Sequence, residues 1–80
     1  MKPEELFRQL VVTIANEFDE SDLTYTCTAI PMKFARSRII PHMENEPYRD
    51  YRIHKMFTFR KIEKAVANEV HRRFLAHENG

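Results

Sequence analysis

Residues 48–57 read Tyr-Arg-Asp-Tyr-Arg-Ile-His-Lys-Met-Phe, and their conformation decides the fold class. Tyr51, Ile53 and Phe57 alternate with Arg52, His54 and Met56, the period-two pattern of a half-buried strand. No breaker separates this stretch from the chain that follows, so a long C-terminal helix starting near residue 47 is the alternative. On a helical projection Ile53 and Phe57 fall away from the later apolar positions, which favours the strand.

Working upstream, residues 42–47 lie between Pro41 and Pro47 and read as a loop. Residues 32–40 form a second extended run closed by Pro41. If they are a strand, Phe34, Arg36 and Arg38 share one face, and Lys33, Ala35, Ser37 and Ile39 share the other. Before Pro31, Leu23, Tyr25, Cys27 and Ala29 alternate with Thr24, Thr26 and Thr28, a strand with a threonine stripe outward. Pro31 stops that ladder because it has no N–H to contribute.

Helices flank this region. Pro3 suits the first helical position, and Glu4 and Glu5 favour the positive end of the dipole. Phe7, Leu10, Val11, Ile14 and Phe18 recur at helical spacing, and Asp19, Glu20, Ser21 and Asp22 end the helix as an acidic loop. Downstream of the deciding stretch, Thr58 suits an N-cap and Phe57 can staple onto Ile62. Phe59, Ile62, Val66, Val70 and Phe74 then form one stripe, with Ala65 beside it. The expectation is therefore one small α+β domain over residues 1–80, in the order α-β-β-β-α. Its two helices would pack on one face of a short antiparallel sheet. The alternative order is α-β-β-α, with the long helix from about residue 47.

Composition excludes several functions. The one glycine is the last residue, Gly80, so the glycine-rich loops that cradle phosphates in P-loop and dinucleotide sites have no counterpart here. Cys27 is the one cysteine and has no intramolecular disulfide partner. No run approaches the ~18 apolar residues of a membrane span, and the N-terminus is unlike a secretion signal. The expectation is a soluble cytoplasmic protein without a membrane partner.

Charge is unevenly spread. Residues 1–30 hold Lys2 and Arg8 against six acids, a net of −4, while residues 31–80 hold eleven bases against six acids, a net of +5. On the last helix, the side opposite the apolar stripe carries Arg60, Lys61, Lys64, Asn68, His71 and Arg72, with Glu63 and Glu69 on the flanks. Arg60 and Lys61 fall in the first turn, where the dipole disfavours cations by roughly 0.3–1 kcal/mol. Selection for stability alone would place acids there, as the first helix does. Bases kept at the unfavourable end point to contact with something outside the helix. The competing reading is a solvated face, or one paired with the acidic loop at 19–22.

The candidate binding residues are Arg36, Arg38, Arg60, Lys61, Lys64, His71 and Arg72. They suggest a small, non-enzymatic protein-binding regulator, an inhibitor or adaptor, docking a basic helix face on an acidic partner surface. A nucleic-acid binder using the same cations on phosphates is the alternative. An acidic knob and a basic helix on one chain also leave a homo-oligomer open. A metal-dependent hydrolase around the histidines is the third class. His71 and His77 are six apart, which puts them on different helix faces, and His42 and His54 match no ligand spacing. The sequence thus assigns no catalytic residue, metal ligand or cofactor.

Overall fold

The computed structural model describes residues 2–18 and 29–79, with side chains placed for 2–18 and 35–73. Three helices make up the described chain: α1 over Pro3–Asn16, α2 over Ala29–Met43 and α3 over Phe59–Asn79. A single 3₁₀ turn, Arg49–Tyr51, lies between α2 and α3. There is no strand among the described residues, so the α-β-β-β-α order and its antiparallel sheet are overturned. The alternative falls too, because α3 begins at Phe59 rather than near residue 47.

α1 forms as its sequence dictates. Pro3 occupies the first turn, where its missing N–H breaks no helical bond, and Glu4 and Glu5 complement the dipole. Leu6, Leu10, Val11, Ile14 and Ala15 are buried, and Phe7 and Phe18 pack half-buried at the edges. The acidic loop at 19–22 and residues 23–28 of the first expected strand lie outside the described residues. Ala29 and Ile30, the end of that expected strand, open α2 instead.

α2 replaces the second expected strand, and its prolines explain why the helix was hidden. Pro31 is the third residue of the helix, among the first four N–H positions that have no partner within it. Pro41 lies inside the last turn and removes one ladder bond before the helix stops two residues later. Pro31 thus sits where a helix tolerates it, and the cost of Pro41 falls close to the helix end. Ala35, Ile39 and Met43, spaced by four, form the buried stripe. Ala35 and Ile39 also fit a period of two. Met43 fits that period too, so the spacing of the buried residues does not by itself tell helix from strand.

Residues 48–57 are neither strand nor helix but successive tight turns. Backbone N–H groups of Tyr48, Tyr51, His54 and Phe57 donate to the carbonyls of Asn45, Tyr48, Tyr51 and His54, each three residues back, at 2.9–3.0 Å. Donors used locally in this way are not offered to a neighbouring strand. A spacing of three also eclipses side chains. Tyr51, His54 and Phe57 accordingly gather into one cluster, with ring centroids 5.1–5.8 Å apart. Phe57 is joined edge-on by Phe7 of α1 at 5.5 Å. Ile53 falls between the eclipsed positions and is 98% exposed, not packed as the strand reading required. Tyr48 is buried, and its hydroxyl accepts a bond from Gln9 Nε2 at 3.2 Å. The Glu46–Pro47 peptide within this connection is cis.

α3 starts where its capping signal predicts. The Lys61 N–H donates to Thr58 Oγ1 at 3.2 Å, and Phe57 and Ile62 on either side of the cap both enter the core. The stripe Ile62, Val66 and Val70 is buried, joined by Ala67. Phe59 departs from it: the ring is 49% exposed at the first helical position, turned toward the α2 side. The side chain of Phe74 lies outside the described set. α3 is the common element, packed against both α2 and α1. Leu10, Ile14, Ile39, Ile62 and Val66, drawn from all three helices, are the most deeply buried large side chains.

Candidate functional site

The exposed side of α3 carries the residues the sequence assigned to it. Arg60, Lys61, Lys64, Asn68, His71 and Arg72 all face outward. The first turn contains no acid, so Arg60 and Lys61 stand at the positive end of the dipole uncompensated by their own helix. Lys61 Nζ donates to the Lys55 carbonyl at 3.0 Å, which anchors the side chain without neutralising it. Among the described residues, Arg60 and Lys64 form no hydrogen bond or ion pair. The acids Asp19, Glu20 and Asp22, proposed above as competing partners, lie outside the described residues.

The two glutamates on the flanks of α3 are buried, at 3% exposure for Glu63 and 6% for Glu69. A carboxylate out of water has to be paired and hydrogen-bonded, and both are. Arg36 of α2 grips Glu63 with two parallel bonds, Nε to Oε1 at 2.8 Å and a terminal nitrogen to Oε2 at 3.2 Å. The hydrogen bond Arg36 donates to Glu63, reinforced by the carboxylate's charge, raises the Arg36 pKa above its ordinary value. Arg36 is therefore a fastening between α2 and α3 rather than part of the exposed basic face.

Glu69 is gripped from more directions. Arg72 donates to it at 2.6 Å and Arg73 at 2.9 Å, while Arg8 of α1 approaches to 3.7 Å. Arg73 also donates to Asn16 Oδ1 at 2.9 Å, tying α3 to the end of α1. The hydrogen bond from Arg72 holds the Glu69 carboxyl below the usual carboxylate range. Burial opposes that shift, and Arg73 adds to it. Arg72 is correspondingly raised by its bond to Glu69.

What the sequence did not reveal is a groove beside this basic face. Two adjoining depressions between α1 and α3 share Glu4, Phe7, Ala65 and Asn68. Val11 extends the apolar floor at one end and Met56 at the other. Lys61, Lys64, Arg72 and Arg8 stand along the groove, against exposed Glu4 and the buried Glu69, with which Arg72 and Arg8 are already paired. Lys61, Lys64 and Arg72 from the sequence-based set are thus brought together. Arg60 and His71 share their helix face but line neither of these two depressions. Arg38, exposed on α2 and engaged in an interaction of its own, is not brought to this site. Phe7 was legible as part of the α1 stripe. Its place on the edge follows because Leu6, Leu10 and Ile14 take the buried centre line.

Two of the histidines, His42 and His54, make structural contacts. His42 Nε2 lies 3.1 Å from Glu17 Oε1, with its ring edge-on to Tyr48, and His54 Nδ1 accepts the Met56 N–H at 3.1 Å. Among the described residues no three of His, Cys, Asp and Glu are grouped to hold a metal ion. Cys27 and the side chain of His77 lie outside that set. No helix among the described residues is long and apolar enough to cross a membrane. Comparison with protein families, curated proteins and solved structures finds no match.

Proposed function

We propose that this chain is a small non-catalytic binding domain that receives an acidic, amphipathic segment of a partner protein in the groove between α1 and α3. One observation carries the reading: Lys61 and Lys64, with Arg72 and Arg8 that share Glu69, border an apolar floor of Phe7, Val11 and Ala65. Cations beside apolar surface complement a partner helix that alternates acids with apolar anchors. The floor is also the reason to prefer protein over nucleic acid. Phosphates would use the cations and leave the apolar strip wet, and the Phe7 ring is already engaged edge-on by Phe57. An inhibitor or adaptor role follows from binding of this kind without chemistry.

The test uses a synthetic helical peptide with leucines at i, i+3, i+4 and i+7 and glutamates elsewhere, titrated into isotope-labelled protein and followed by NMR. A single-stranded oligonucleotide serves as the comparison. Amide shifts centred on Phe7, Lys64, Ala65 and Asn68 are expected with the peptide. The double variant Lys61→Glu/Lys64→Glu should weaken binding about tenfold or more without changing the helical CD signal. Shifts scattered elsewhere, or affinity unchanged in the variant, reject the reading. Steeply salt-dependent oligonucleotide binding at the same amides would instead select the nucleic-acid alternative.

A further inference from the structure

We infer that the groove on the opposite flank of α3, between α2 and α3, is a self-association surface that takes the same groove of a second copy about a two-fold axis. Three large apolar side chains are strongly exposed among the described residues: Ile53 at 98%, Ile40 at 52% and Phe59 at 49%. Isolated exposures of this kind are ordinary, but contiguous ones mark contact surfaces. Ile40 and Phe59 line a depression over a base of Ile39, Met43 and Phe57, and they also border a smaller one beside the mutually paired Arg36 and Glu63. Arg52 lines the first as well.

The charges at this groove say what covers it. Its rim carries one acid, Glu44, and one base, Arg52. Their backbone neighbourhood is fixed: Arg49 Nε donates to the Glu44 carbonyl at 3.1 Å, and Arg52 Nε donates to the Arg49 carbonyl at 3.2 Å. The Glu44 carboxylate itself has no ion pair or hydrogen bond among the described residues, and Arg52 has no ion pair. A partner of uniform charge would set a like charge against one of the two. A second copy brings both signs, and a two-fold axis aligns each Glu44 with the other copy's Arg52, so the same pair forms twice. The same axis lays the two Ile40–Phe59 edges on one another and removes them from water. This surface is separate from the α1–α3 groove, and neither reading depends on the other.

Sedimentation equilibrium of the full chain, up to about 1 mM, is the test. The apparent mass is expected to rise with concentration toward twice the 9.6 kDa of one chain. Ile40→Glu and Phe59→Glu should each weaken association about tenfold or more. Both residues are half-exposed, so the helical CD signal and melting should stay intact. Glu44→Arg and Arg52→Glu should each weaken the dimer, and the combined variant should restore it. A mass that stays at one chain throughout overturns the proposal. So does a dimer indifferent to Ile40→Glu and Phe59→Glu, or one that the combined charge swap leaves weak.

Discussion

The two flanks of α3 are built to the same plan and finished differently. On each side a helix packs against α3, an acid of α3 is buried at the junction, and an arginine from the other helix reaches it. Toward α2 the acid is Glu63, and among the described residues Arg36 alone holds it, in a two-bond fork. Toward α1 the acid is Glu69, shared by Arg8, Arg72 and Arg73, with Arg73 also bonded to Asn16. The surfaces above these junctions differ in kind. The α1 side presents an apolar floor beside an excess of cations, whereas the α2 side presents exposed Ile40 and Phe59 with one charge of each sign. Similar fastenings thus leave one flank suited to an acidic partner and the other suited to its own copy.

If the flanks are equivalent as packing, truncating the deepest side chain of each should cost about the same. Leu10 of α1 and Ile39 of α2 are almost completely buried. Leu10→Ala and Ile39→Ala should each lower the unfolding free energy by roughly 2–5 kcal/mol, a large fraction of the total for a domain of this size. Urea denaturation followed by CD measures both. A loss below about 1 kcal/mol on one side alone would break the symmetry and show that this helix is only loosely docked.

The electrostatic difference between the flanks should appear as a pH effect traceable to Glu69. Its carboxylate is stabilised in the folded chain, mainly by Arg72, so its folded pKa lies below the unfolded one. Stability from such a group is complete above the unfolded value, about 4.3 for a glutamate. It drains away as pH falls through the lower folded value. Unfolding midpoints should therefore decline as pH drops below the ordinary carboxylate range. Glu69→Gln, less stable at neutral pH, should show a smaller decline there. Equal slopes in the two proteins would remove Glu69 as the origin.

The same contrast separates what was legible in the sequence from what was not. α1 and α3 were readable because each joins an apolar stripe to local start signals: Pro3 with Glu4 and Glu5, and Thr58 with Phe57 and Ile62. α2 was not, because Pro31 and Pro41 look like barriers when their places relative to the helix ends are unknown. The residues between them that the core uses, Ala35 and Ile39, satisfy both periods. Residues 48–57 misled for a related reason. The informative spacing was the three-residue step Tyr51, His54, Phe57, not the alternation that included Ile53. The cationic face of α3 could be drawn from one helix alone. The groove beside it could not, since Phe7 and Arg8 stand more than fifty residues away in the chain. Nor did any local feature show that Glu63 and Glu69 would leave the surface and draw Arg36 and Arg72 toward themselves.

The smallest effect bears most directly on why α3 keeps its bases. Arg60 lies in the first turn, exposed and without a partner among the described residues, where the dipole disfavours a cation. Arg60→Glu should accordingly stabilise the fold, by roughly 0.3–1 kcal/mol at low ionic strength, and the gain should shrink as salt is added. The same change places an acid at the Lys61 end of the cationic face and should weaken capture of the acidic peptide. Opposite signs in stability and binding are what a functional constraint predicts. A position that evolved only as solvated surface would gain stability with no loss of affinity. Melting curves and peptide titrations on the one variant, each at two salt concentrations, distinguish these outcomes.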